Sequence, residues 1–218
     1  MYRVILYSQW KWSRLIVLLG TIAGFALPII SLQGAAGADR NPLAAQELLR
    51  AVQSWGTLYP VLATTLGLLV AIATWAPDHR GRHIHALSLP LPRWRYVLLR
   101  FAAGVTVLAG PIVAVLLGAV LATALATIPP GLQGYPLALA LRFALALLVA
   151  YAVFFAVSAG TARTAGIILG VIAAVIVVQI VAGVANVELD LWGKLALVIL
   201  NWPGPLAVFT GRWMLVDV

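Results

Sequence analysis

The feature that most constrains this chain is a succession of apolar runs, each about as long as a bilayer is thick, separated by short basic or proline-rich segments. At about 1.5 Å of rise per residue, a helix of some 20 residues crosses a hydrocarbon layer of roughly 30 Å. Only 9% of the 218 residues are charged while 63% are apolar. A soluble domain carries about a quarter charged residues, so this chain cannot cover a folded core with a water-compatible surface. The expected fold is therefore all-α, a polytopic transmembrane helical bundle forming a single transmembrane domain.

The runs predict five clear spans, over residues 15–32, 55–76, 101–128, 137–159 and 164–187. Arg3, Tyr7, Lys11 and Arg14 share one face of residues 1–14, with Tyr2, Ile5, Leu6 and Trp12 on the other. That pattern predicts an interfacial N-terminal helix in the headgroup layer. The basic start, the apolar run and the small residues Gly34 to Ala38 also resemble a cleavable signal; we read the segment as a retained first span. Asn41-Pro42 reads as a helix start leading to the second span. Gly20 and Gly24, and again Gly166 and Gly170, are four apart and predict faces where another helix packs closely. Pro111 predicts a tilt or kink in the third span. The last stretch, 191–218, contains Asn201-Trp202-Pro203-Gly204-Pro205 and is expected either to re-enter as a hairpin or to form a short, kinked sixth span over 195–212.

The net charge of +8 does not predict nucleic-acid binding, because the cations lie in short segments between apolar runs. Arg3, Lys11, Arg14, Arg80, Arg82, Arg93, Arg95, Arg100 and Arg163 fall on one side of the expected topology. Arg40, Arg50 and Lys194 fall on the other, offset by Asp39, Glu47, Glu188 and Asp190. The richer side is the cytoplasmic one, which gives a multi-pass protein of a bacterial inner membrane with its N-terminus in the cytoplasm. The chain has no cysteine, so thiolate metal sites and Cys nucleophiles do not arise.

Function is expected in the loop over 77–100, which is long for a connector and combines charge, helix-compatible spacing and Pro90 and Pro92. A short helix held between two spans is a stiff lever. The run Asp78, Gly81, Leu87-Ser88-Leu89-Pro90 and Arg93, with Arg100 near the start of the third span, resembles the coupling-helix region of ATP-binding-cassette (ABC) type-2 exporter permeases. In that family an acidic residue ends the second span, a small residue and a Leu-rich turn follow, and a Pro-x-x-Arg-like element opens the third. The interfacial N-terminal helix is also similar to the family's.

The resemblance implies a permease subunit that pairs with a second permease, of the same or a related chain, and is driven by separate cytoplasmic ABC ATPase subunits. ATP and Mg would be bound by those subunits, since this chain has no Gly-x-x-x-x-Gly-Lys-Ser/Thr loop. The chain would hold no cofactor and would not be an enzyme by itself. Asp78, Arg80, Gly81, Arg82, Leu87, Ser88, Pro90 and Arg93 would be the partner-coupling positions. The chain departs from the family in having Asp at 78 where Glu is usual, and in the missing clear sixth span. If 201–209 is the family's outer hairpin, a last span lies beyond Val218.

Arg142, inside the fourth span, and Gln179, inside the fifth, are candidates for contact with substrate or membrane lipid. Arg142 can instead snorkel outward or pair with Glu188 or Asp190, and Gln179 can bond a neighbouring helix. His79, His83 and His85 lie within seven residues, but with Asp78 the sole nearby acid they read as a solvated surface and not a metal site. Trp10, Trp12, Trp55, Trp75, Trp94 and Trp192 fall near span ends and read as an aromatic belt. The competing readings are a lipid-modifying membrane enzyme using the His-containing loop, and a structural assembly subunit.

Overall fold

A computed structural model of the chain describes residues 2–33, 42–80, 92–126, 128–129, 131–159, 197 and 204–217. Nearly all of them are helical. The elements are α1 (Tyr2–Gln33), α2 (Pro42–Gly56), α3 (Leu58–Arg80), α4 (Arg93–Leu125), β1 (Gln133–Gly134), α5 (Pro136–Ser158), a 3-10 turn (Pro205–Phe209) and β2 (Val216–Asp217). Among the described residues, four helical stretches are long and apolar enough to cross a membrane. The expected fifth span, 164–187, lies outside the described residues, and Gly166, Gly170 and Gln179 lie outside with it.

In lipid a backbone must satisfy its own polar groups, which leaves the helix as the available form for each apolar run. The helices nevertheless run past the runs. α1 is continuous over 32 residues, with no break at Arg14. The separate interfacial helix expected over 1–14 is thereby corrected to the first turns of a long helix. No Pro interrupts it before Pro28, so continuing the helix keeps every main-chain bond. These first turns also pack on the bundle: Tyr2 Oη and Thr106 Oγ1 share a hydrogen bond of 2.6 Å, and Gln9 Nε2 donates to Thr74 Oγ1 at 2.6 Å.

The other boundaries shift for the same reason. α2 is a distinct amphipathic helix that buries Leu48 and Val52 and exposes Arg50 and Gln53. Trp55 belongs to it, and α3 opens at Leu58 after Thr57, both within one apolar stretch over Leu48–Asp78. α3 runs through Pro77 to Arg80, and α4 begins at Arg93, so the segment between them is shorter than the 77–100 expected. Arg93, Trp94, Arg95 and Tyr96 are the first turn of α4, entered from the extended Pro92.

The four long helices form a closed ring in the order α1, α4, α5, α3, with the most extensive contacts between α1 and α4 and between α3 and α5. One face of α1 is buried at Gln9, Ser13, Val17, Gly20, Gly24 and Leu27, the three-to-four spacing of a packed helix face. Its opposite face exposes Leu15, Leu18, Leu19 and Ile22. Gly20 and Gly24 do admit neighbours, but two different ones. A Cβ on Gly20 would strike Leu66 of α3, and one on Gly24 would lie 3.0 Å from Val115 and 3.3 Å from the Pro111 carbonyl of α4.

Two further glycines set the closest crossings. Gly118 of α4 meets the backbone of Phe25 in α1, and Gly67 of α3 meets Ala150 and Tyr151 of α5, where a Cβ would stand 2.8 Å from Ala150 Cβ and Tyr151 N. The core of the ring is filled by Val70, Leu108, Val115, Phe143 and Leu147, all buried.

Most hydroxyls inside the helices bond their own backbone. Ser13 donates to Gln9 O, Thr21 to Val17 O, Thr64 to Pro60 O, Thr74 to Val70 O and Thr123 to Ala119 O. Each hydroxyl satisfies itself one turn back.

The end of the chain crosses one end of the ring. Pro205–Phe209 is a 3-10 turn, Gly211 turns with φ of +81°, and β2 pairs antiparallel with β1 in the register Gln133 with Asp217 and Gly134 with Val216. This short ladder is a small departure from an all-α fold. Of the stretch expected to re-enter or to form a kinked sixth span over 195–212, residues 204–212 hold a five-residue 3-10 turn and extended chain, and 195–196 and 198–203 lie outside the described residues. Five 3-10 residues rise about 10 Å, a third of a hydrocarbon layer.

Candidate functional site

The site sits where α3 ends and α4 begins. The antiparallel course of these helices brings together Asp78, in the last turn of α3, and Arg100, two turns into α4, although 22 residues separate them. Arg100 Nη1 donates to Asp78 Oδ2 in an ion pair whose side chains are 8% and 4% exposed. Tyr96, one helical turn before Arg100, donates its hydroxyl to the same carboxylate, 3.2 Å from Oδ2 and 3.3 Å from Oδ1. The guanidinium lies 5.2 Å from the ring centres of both Trp75 and Tyr96.

Desolvating such a pair is expensive, and only close geometry with additional hydrogen bonds and ring contacts offsets it. Its mechanical effect is to tie the ends of α3 and α4 into one piece. Trp75 extends the tie to α5 by donating Nε1 to Phe155 O at 3.1 Å, its ring 5.1 Å from that of Phe155. Phe101 stands 5.3 Å from both Tyr151 and Phe155.

One turn deeper, Gln9 of α1 bonds Thr74 of α3, which in turn donates to Val70 O. Gly104 of α4 leaves the room this needs, since a Cβ there would collide with the Tyr151 hydroxyl and stand 2.7 Å from Gln9 Nε2. Among the described residues, the buried Gln9 Oε1 has no hydrogen-bond partner, and the Tyr151 hydroxyl of α5 lies against the same group. All four long helices thus meet in one polar knot directly beneath the ion pair.

Of the predicted partner-coupling residues, Asp78 is at the centre of this arrangement. It faces inward, however, and its carboxylate is spent on Arg100 and Tyr96. Arg93 opens α4, exposed and nearly two turns from Arg100. Arg80 ends α3, with its side chain outside the described residues, and so is that of His79. Gly81, Arg82, Leu87, Ser88 and Pro90, with His83 and His85, lie outside the described residues. Sequence reasoning passed over Tyr96, Trp75, Thr74, Gln9 and Tyr151. Trp75, assigned to the aromatic belt, is buried at 5% exposure, whereas Trp10, Trp12 and Trp94 are exposed. The available signal was the opposite charge of Asp78 and Arg100 at matching depths of consecutive spans.

Arg142 lies at the other end of the ring. Its Nε donates to Val208 O at 3.2 Å, and its two terminal nitrogens donate to Thr210 O and Arg212 O. The guanidinium stands 4.6 Å from the Trp213 ring centre. The expected partners Glu188 and Asp190 lie outside the described residues; among the described ones, backbone carbonyls and a ring take the role of a counter-ion. Beside Arg142 is a cleft of about 320 Å³ lined also by Tyr135, Leu139, Arg212 and Trp213.

No protein-family model, no curated protein and no solved structure matches the chain. What it does is therefore argued from its own residues.

Proposed function

We propose that this chain is the permease subunit of an ATP-driven exporter of the ABC type-2 kind, embedded in a bacterial inner membrane with its N-terminus in the cytoplasm. The observation that carries the reading is the buried Asp78–Arg100 pair, which joins the two helices flanking the basic segment 81–92. A force applied to that segment reaches α3 and α4 together, and through Trp75 and the Gln9–Thr74 bond it reaches α5 and α1. A pump whose motor is a separate protein needs such a junction. The motor in this reading is a pair of cytoplasmic ABC ATPase subunits that bind ATP and Mg, and a second permease subunit completes the path.

In this reading Arg82, Leu87, Ser88 and Arg93 touch the ATPase, while Asp78 and Arg100 hold the helix ends without touching it. Solubilising the chain from its native membrane in mild detergent and isolating it by an affinity tag is expected to bring down an ATP-hydrolysing subunit in stoichiometric amount. Charge reversal of both Arg82 and Arg93 to Glu is expected to lose that subunit with the melting temperature of the chain unchanged. Retention of the ATPase by that double variant, or the absence of any ATPase in the intact assembly, overturns the proposal.

A further inference from the structure

The far end of the ring is closed by residues 204–217, and the way they are held differs from everything else in the bundle. The helices hold themselves through their own main-chain bonds. This strap has a five-residue 3-10 turn and a two-residue ladder, with one further main-chain bond from Tyr135 N to Leu215 O at 2.8 Å. Three of its carbonyls, those of Val208, Thr210 and Arg212, are instead gathered by the single side chain of Arg142.

Gly211, at φ of +81°, lets the strap turn around that guanidinium; a Cβ there would stand 3.3 Å from Arg142 Nη2 in a conformation other residues rarely adopt. What the strap covers is apolar. Trp213 is buried at 5% exposure, near-parallel to the Tyr59 ring at 6.3 Å, and its carbonyl lies against Gly56; Leu215 and Val216 are fully buried. Among the described residues, the buried Trp213 Nε1 has no hydrogen-bond partner. The covering is thus held by shape, by a two-residue ladder with one neighbouring main-chain bond, and by the three-carbonyl grip of one cation.

We propose that residues 204–217 form a releasable closure over this end of the ring, latched by Arg142. Local opening is expected where few main-chain bonds and few independent contacts hold a segment. Release of Arg142 frees the three carbonyls of 208–212 in one event and leaves the short ladder and the Tyr135 N–Leu215 O bond to part before Trp213, Leu215 and Val216 lift from the ring, with no helix unwound. This inference does not rest on the transport reading and stands or falls separately.

The chain has no cysteine, so one thiol can be placed at will. Val216→Cys, on the buried face of the strap, is compared with Gln133→Cys, exposed beside it, in the full chain in lipid nanodiscs, by the rate of labelling with a water-soluble maleimide. Val216→Cys is expected to label at least about tenfold more slowly than Gln133→Cys, and adding Arg142→Gln is expected to recover most of that difference while helical content stays as in the parent. Arg142→Lys, which keeps the charge but cannot fork to three carbonyls, is expected to fall between. Equal labelling of Val216→Cys and Gln133→Cys shows that the end is not closed and overturns the proposal. An unchanged rate with Arg142→Gln shows that Arg142 is not the latch. Fast labelling accompanied by loss of helix shows that the strap is a fixed part of the fold, which overturns it equally.

Discussion

The two ends of the ring each hold an arginine, Arg100 buried and Arg142 half-buried, and they neutralise it in opposite ways. Arg100 meets a carboxylate, a phenol and two aromatic faces contributed by helices that are rigid in themselves. Arg142 meets three carbonyls and one ring, all contributed by a segment with little structure of its own. The first arrangement couples helix to helix; the second attaches a loose segment to a helix. An ion pair fixes one partner by identity, whereas carbonyls are offered by every residue and fix only a path of the backbone.

This contrast predicts a graded set of effects on stability, measured by thermal or denaturant unfolding of the purified chain in detergent. Asp78→Asn leaves Arg100 buried without its counter-charge and is expected to cost the most, about 3–5 kcal/mol. The double replacement Asp78→Leu with Arg100→Met removes both charges and is expected to return most of that loss. A double variant as unstable as Asp78→Asn alone would show that the pair is not the source of the effect. Arg142→Gln is expected to cost less, roughly 1.5–3 kcal/mol, because carbonyls left behind can turn to water more easily than a buried cation can. Equal costs at the two ends would erase the distinction drawn between them.

A third variant leaves both charges alone and tests the seam between them. Gly67→Ala puts a methyl where Ala150 and Tyr151 of α5 already stand, and is expected to cost about 1–3 kcal/mol by overpacking. The smallest effect is expected from Tyr59→Phe. The ring keeps its packing when the buried hydroxyl is removed, so stability is expected to change by no more than about 1 kcal/mol.

Span positions were legible because an apolar run of bilayer length admits little but a helix, as with Pro136–Ser158 against the run 137–159. Helix ends were not. Hydropathy records where an apolar run stops, and a helix such as Arg93–Leu125 continues past it as long as no residue breaks it. Pro77 and the arginines of the basic segment looked like loop, yet Pro77 is carried within α3 and Arg93 to Arg100 form two turns of α4.

Asp78 was legible as a candidate from its charge at a span end, but its partner, 22 positions further on, was not, because the residues between carry no record of which cation faces it. The ligands of Arg142 were beyond reach for a deeper reason. They are main-chain atoms of Val208, Thr210 and Arg212, and a carbonyl leaves no mark on residue identity.

The hydroxyls that bond their own helices have a consequence for motion. Ser13, Thr21, Thr64 and Thr123 hold nothing across a helix boundary, so along most of their length the four rods slide past one another with no hydrogen bond to break. Lateral separation costs packing, but a small axial glide costs only the re-seating of side chains. The bundle is therefore stiff to being pulled apart and compliant in shear, pinned against slippage at one tip by Asp78 and Arg100.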